Sequence, residues 1–288
     1  MKKSYFKIIW KSLESSLSII GLILSVVLAI IPILPILNEY KIIISCLFPF
    51  IVFLVYVVII IFKYINFKQT KSITIKFHDS KVNIYYGDIF SKENDGYKVI
   101  AFNEYFDTIT DDELHVIDKE SLHGIYLNKF YKTEKSREDF HYRIESSLEK
   151  YRSFENENRR LGYTQAYKLG TLFEDKDFLL MAFTKFDKDN KAHVKYSEMV
   201  TSFIRMWFNI DKVKGTKKVY LPLIGSGITR FDDGEVSNTD ILISLIDTFK
   251  ISRVKFKHPA NVNIILYGKE LGIDLVSIKE RYNSRIKG

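Results

Sequence analysis

Residues 17–37 and 42–62 form two apolar runs of 21 residues each, with no charged residue between Glu14 and Glu39 or between Lys41 and Lys63. A helix of that length covers about 32 Å, against a bilayer hydrocarbon core of about 30 Å. Each run is therefore long enough to cross a membrane once. The link Asn38-Glu39-Tyr40-Lys41 is short and polar, which predicts a tight antiparallel hairpin. The first run is longer and more branched than a signal-peptide core and lacks an A-x-A site, and the second run would anchor the chain in any case.

Lysine placement sets the expected orientation. Lys2, Lys3, Lys7 and Lys11 precede the first run, Lys63, Lys68, Lys71 and Lys76 follow the second, and the tip offers only Lys41, offset by Glu39. The positive-inside rule puts both termini in the cytoplasm of a bacterial inner membrane. Of the formal charge of +8, residues 1–62 carry +3 and residues 63–288 carry +5. Topology and anionic lipid account for much of that basicity. No basic stripe with interleaved aromatics points to nucleic acid. Cys46, the single cysteine, excludes an intramolecular disulfide, and the six scattered histidines form no HExxH pairing. No metal and no cofactor are expected.

The chain thus divides into a membrane hairpin with a short linker, residues 1–71, and one domain, residues 72–288. Strand patterns at 72–77, 82–86, 99–102, 178–183, 218–221 and 262–267 alternate with helical ones at 136–161, 196–208, 239–249 and 271–282. This order predicts an α/β domain with a mixed sheet and helices on both faces. Ligands bind such sheets beyond the carboxyl ends of the strands. Two loops lie at such ends: Gly87-Asp88-Ile89, and Gly225-Ser226-Gly227 in the stretch VYLPLIGSGITRF. Glycine lets backbone N–H groups approach an oxyanion, and a helix start adds positive dipole. A third segment, IAFNEYFDT at 100–108, ends a strand at Asn103, with Ser121-Leu122-His123-Gly124 downstream. Taken singly, Asp88 and Ser121 read as helix or turn caps.

Together these segments resemble a macro domain, the ADP-ribose-binding module, over residues 72–288. The resemblance implies a three-layer α/β/α fold. It places Asp88 and Ile89 at the adenine, with the aspartate holding the exocyclic amine, and Asn103 at the distal ribose. Ser121, Leu122, His123 and Gly124 fall where a first diphosphate loop would be. Gly225, Ser226, Gly227, Ile228, Thr229, Arg230 and Phe231 match the second diphosphate loop and its aromatic. The first loop departs from the family's glycine run, because Leu122 and His123 add bulk there.

More narrowly, NEYFDT, SLHG and PLIGSGI behind a two-span N-terminus resemble the membrane-anchored macro-domain effectors of type II Thoeris antiphage defence. That resemblance implies a sensor that is not an enzyme. Its ligand would be an ADP-ribose conjugate, with histidine the favoured substituent, made from NAD by a TIR-domain partner. Binding would drive homo-oligomerisation, membrane disruption and abortive infection. The competing expectation is a membrane-tethered ADP-ribosyl hydrolase using Asn103 and His123.

Overall fold

The computed structural model describes residues 41–110, 116–187, 189–227, 229–268 and 271–283. By contact the chain falls into two compact units, one holding residues 41–71 and 274–281, the other Ser72–Ile273 and Tyr282.

The first unit contains helix α1, Lys41–Gln69. Its large apolar side chains lie exposed, among them Phe50, Phe53, Val58, Ile61 and Phe62. Among the described residues no helix is long and apolar enough to cross a membrane. The first expected span, residues 17–37, lies outside the described residues. The second, residues 42–62, falls within α1, where only part of the side-chain set is described.

The second unit is built on a mixed sheet. Its strands are β1 (Ser72–Phe77), β2 (Ser80–Tyr86), β3 (Tyr97–Asn103), β6 (Leu172–Asp175), β7 (Phe178–Phe186), β8 (Ala192–Val194), β9 (Val219–Pro222), β10 (Arg230–Phe231) and β11 (Asn261–Leu266). The order is β1-β2-β11-β9-β3-β7-β8-β10, with β6 also on β7. Strands β2, β11, β9, β3 and β7 run parallel to one another. Strand β1 is antiparallel to β2, and β6 and β8 are antiparallel to β7. The alternation in β1, with Ile73, Ile75 and Phe77 buried between exposed neighbours, is the period of a sheet edge wetted on one face. Central strands such as β9 are buried throughout, as both-sided cover requires.

Helices α2 (Leu122–Phe130), α3 (Glu134–Leu148), α4 (Tyr196–Lys214) and α5 (Asn238–Ser252) pack on this sheet or beside it. In β7, Leu180 and Ala182 join a cluster with Tyr126 and Leu127 of α2 and Phe140 and Ile144 of α3. Phe183, one position on, stacks against Phe203 of α4 at 5.8 Å. Successive side chains of a strand point to opposite faces, so helices cover both sides, as expected. The buried Trp207 ties α4 to α5 through Nε1–H donation to the Thr248 hydroxyl at 3.1 Å.

Three expectations need adjustment. The helix foreseen over 136–161 stops at Leu148; Tyr151 falls in a 3-10 turn and Phe154 in a short strand β4 (Arg152–Glu155) paired with β5 (Gln165–Tyr167). The helix foreseen over 271–282 is α6, Leu275–Asn283. The segment 121–124, foreseen as a loop, is a helix start.

Candidate functional site

At the end of β2 the chain turns at Gly87, whose N–H bonds to the Leu266 carbonyl of β11. Asp88 is exposed and caps the next turn, its Oδ1 accepting from the Phe90 N–H at 2.9 Å. Among the described residues its Oδ2 has no hydrogen-bond donor. Ile89 turns inward and is 3% exposed. The Asn94 amide fixes this turn, donating to the carbonyls of Asp88 and Ile89 at 3.0 Å.

Strand β3 ends in a bulge between Phe102 and Asn103, an irregularity that re-aims side chains at a strand end. The turn that follows is strained. Phe106 has φ of +50°, a left-handed conformation uncommon for a bulky residue. Its ring is held between Phe102 and Tyr167, at 5.8 and 5.6 Å. Asn103 is buried, with Oδ1 accepting from the N–H groups of Tyr105 and Asp107 and Nδ2 donating to the Asp107 carboxylate at 2.7 Å. The buried Glu104 carboxyl is pushed up to about 7 by burial, opposed by Lys185, the Phe186 N–H, His193 and Arg159.

His123 lies under this turn. Its Nε2 is 2.8 Å from the Asp107 carbonyl oxygen, so Nε2 carries the proton and the ring is the Nε2–H tautomer. The ring lies against that of Phe102, tilted by 33° with centroids 3.5 Å apart. Burial lowers its pKa to about 3, so it is neutral across the physiological range. The neutral ring donates its Nε2–H to the Asp107 carbonyl.

Ser121 is the N-cap of α2: its hydroxyl donates to the Asp118 carbonyl at 2.6 Å and accepts from the Gly124 N–H at 3.0 Å. Leu122 and His123 occupy the first helical turn, where backbone N–H groups lack intrahelical partners. Gly124 is needed for packing, since a Cβ there would stand 2.2 Å from the Asp118 carbonyl oxygen. The bulk seen in SLHG is thus the bulk of a helix's first turn.

The second loop leaves β9 at Pro222. The Ser226 hydroxyl and N–H both donate to the Leu223 carbonyl, at 2.7 and 3.2 Å. Gly225 has φ of +95°, and a Cβ there would press on the Phe183 ring. Gly227 is exposed, and a Cβ there would meet nothing within 4 Å. The loop ends in β10, where Phe231 pairs beside Val194 of β8 and its ring lies near Gly225.

These pieces surround a cleft of about 580 Å³. Asp88 and Ile89 line one end, Asn103 and the Ser121-Leu122-His123 helix start one side, and Gly225, Ser226, Gly227 and Thr229 the other. Gly124, Arg230 and Phe231 stand outside the lining, and Ile228 lies outside the described residues. The cleft runs across the carboxyl ends of β2, β11, β9, β3 and β7. Four inter-strand steps of about 4.8 Å make it roughly 19 Å long, suited to an extended ligand. Among the described residues no group of three or more His, Cys, Asp or Glu side chains could hold a metal ion.

Residues 82–267 match the family model of the Thoeris protein ThsA macro domain. The chain belongs to the ThsA macro-domain family. The Thoeris protein ThsA of Bacillus amyloliquefaciens (strain Y2) is 40% identical over 218 residues, covering 73% of this chain and 70% of that protein. Among solved structures, the Oceanobacillus iheyensis macrodomain with ADP has 12% identity and a TM-score of 0.48 over 75% of this chain and 96% of that one. A mutant of the same macrodomain with ADPR has 10% identity and a TM-score of 0.48, over 75% and 98%.

Several cleft residues of this ThsA-family chain escaped the sequence reading. Tyr267, 76% exposed, and Phe90 stand at the Asp88 end, and Phe183, Phe186 and Ala192 at the β7–β8 end. The rule that ligands sit beyond strand carboxyl ends would have found Tyr267, which directly follows β11. Ala192 carries no local signal.

Proposed function

We propose that this protein is a membrane effector of bacterial antiphage defence, switched on when its macro domain binds an NAD-derived nucleotide. The ligand is an ADP-ribose conjugate, histidine being the favoured substituent, supplied by a TIR-domain partner. Residues 1–71 are the membrane hairpin with both termini in the cytoplasm, and residues 72–288 the sensor. Ligand binding promotes self-association, the spans cluster, the membrane is breached and infection aborts.

The observation that carries this reading is the long cleft between the Ser121 helix start and the Gly225–Gly227 loop, in a chain of the ThsA macro-domain family. Backbone donors from a helix start and a glycine loop are the chemistry of diphosphate recognition. Asp88, one of whose carboxylate oxygens has no donor among the described residues, takes the adenine amine. Support for the membrane half comes from α1, most of whose described apolar side chains are exposed, with Val52, Tyr56, Val57 and Ile60 half-buried along one face. A helix apolar on all sides belongs in a protein core or a bilayer.

A sensor is favoured over a hydrolase because Asn103 and His123 are both engaged by Asp107, and His123 is buried and neutral. Switching a population from about 1:99 to 99:1 requires roughly 5.5 kcal/mol of differential ligand affinity. Diphosphate contacts made in only one arrangement of the Gly225 loop are the proposed source. The test uses full-length protein in dye-loaded vesicles, with ADP-ribose and its amino-acid conjugates added in turn. Dye release that ignores the nucleotide would sink the gating claim. Turnover of the conjugate would establish the hydrolase instead.

A further inference from the structure

We infer that Asp107, clamped by Arg159, is the positioning residue for the floor of the cleft: it orients Asn103 and the start of α2 without itself lining the cleft. The carboxylate of Asp107 is fully buried and gathers four donors besides the carbonyl's one. Arg159 reaches it with two nitrogens, at 2.9 Å to Oδ1 and 2.5 Å to Oδ2. The Tyr163 N–H donates to Oδ1 at 2.7 Å and the Asn103 amide to Oδ2 at 2.7 Å. The carbonyl of the same residue takes the His123 proton. One residue therefore fixes a side chain at the end of β3 and the angle at which α2 presents its first N–H groups.

Arg159 makes three further contacts, one of them to a new segment. It donates to the Tyr163 carbonyl at 2.6 Å and to Asn190 Oδ1 at 2.9 Å, and its guanidinium lies 4.0 Å from the Tyr105 ring centre. Asn190 sits in the turn between β7 and β8, whose flanking Phe186 and Ala192 line the cleft. The two charged side chains are 3% and 0% exposed. A planar fork buried against a carboxylate fixes geometry as well as charge. The strain of Phe106 persists only where its surroundings over-determine it, and this clamp flanks it directly.

The inference rests on the reading of the cleft as a site for ADP-ribose compounds, and two readouts separate them. Full-length protein with histidine labelled in the imidazole ring is titrated with ADP-ribose and with its histidine conjugate, as wild type, Asp107→Asn, Arg159→Lys, Arg159→Gln and the double variant Asp107→Asn/Arg159→Gln. In the wild type the His123 resonances are those of an Nε2–H tautomer that does not titrate between about pH 5 and 8. In Asp107→Asn they move, and ADP-ribose affinity falls about tenfold or more. Arg159→Lys keeps the charge without the fork and loses affinity with little loss of melting temperature. The double variant buries no charge, so it recovers melting temperature but not affinity. Wild-type affinity with an unmoved His123 signal in Asp107→Asn overturns the inference, as does a double variant that recovers both properties. If Asp107→Asn does not fold, Arg159→Lys decides in the same terms. If the wild type binds neither ADP-ribose nor its histidine conjugate, the ligand reading fails, while the His123 signal still decides whether Asp107 positions the floor.

Discussion

Gly225 faces the ring of Phe183 so closely that a Cβ built on it would stand 3.2 Å from Cζ, at a φ of +95°. Gly227, two residues on, has no such φ and open space around it. Gly225→Ala should lower stability by about 1–3 kcal/mol, read as a drop in melting temperature. Gly227→Ala and Gly227→Val should leave stability within about 0.5 kcal/mol yet weaken ADP-ribose binding, because a side chain then occupies the space where backbone meets phosphate. Unchanged affinity in both Gly227 variants would remove the loop from the site.

Asp88 offers a second test. Asp88→Asn keeps an oxygen for the Phe90 N–H but loses the charge. Asp88→Ala loses both. If the free oxygen holds the adenine amine, the charge-assisted bond is worth about 1.5–3 kcal/mol, or about tenfold or more in affinity. Calorimetry with ADP-ribose should show a fall in both variants, larger in Asp88→Ala. Equal affinity in all three proteins would rule out the adenine assignment.

The buried Glu104 makes stability fall with rising pH. Its folded-state pKa of about 7 lies above the ordinary 4.5, so the native chain holds a proton that the unfolded chain has released. The contribution is complete below about pH 4.5 and disappears as pH rises through about 7. Glu104→Gln should therefore raise the melting temperature at about pH 8 and change it little at about pH 5. A pH-independent difference would contradict the burial argument.

His123 acts in the opposite direction. Its pKa falls from 6.5 to about 3 on burial, so acid drives protons onto the unfolded chain first. Stability is lost as pH falls from about 6.5 toward 3, by up to about 1.4 kcal/mol per unit. His123→Gln, which keeps an N–H to offer the Asp107 carbonyl, should flatten this acid limb in denaturant melts. A limb of unchanged slope would place the titration elsewhere.

The proposed membrane hairpin is tested separately. Deleting residues 1–62 should leave ADP-ribose affinity unchanged and abolish any effect on cells. A reporter active only outside the cytoplasm, fused after Gly288, should stay silent if both termini lie inside. A bright reporter reverses the topology.

Most strands were legible because alternation and short apolar runs identify them directly: β1 was placed to the residue, and β2, β9 and β11 within two residues. The end of α3 was not, because Leu148, Tyr151 and Phe154 keep a spacing of three across a helix, a 3-10 turn and a strand. The start of α2 is legible as a serine cap, whereas the packing need for Gly124, whose Cβ would meet the Asp118 carbonyl, is not. Asp107 and Arg159, separated by 52 positions, leave no local pattern. Only the fold brings them together, and with them the reason Asn103 and His123 point where they do.

The cap at Ser121 has a kinetic consequence. The hydroxyl is already spent on Asp118 and Gly124, so the first turn of α2 is helical before any ligand arrives. Groups fixed in advance add no ordering cost at encounter. On the opposite wall Gly225 and Ser226 are held by Phe183 and the Leu223 carbonyl, and Gly227 is the position with room to adapt. Ligands sharing a diphosphate but differing at their ends should then dock at similar rates and differ in how long they stay. If the protein is the proposed sensor, residence time sets how much nucleotide is needed before it responds.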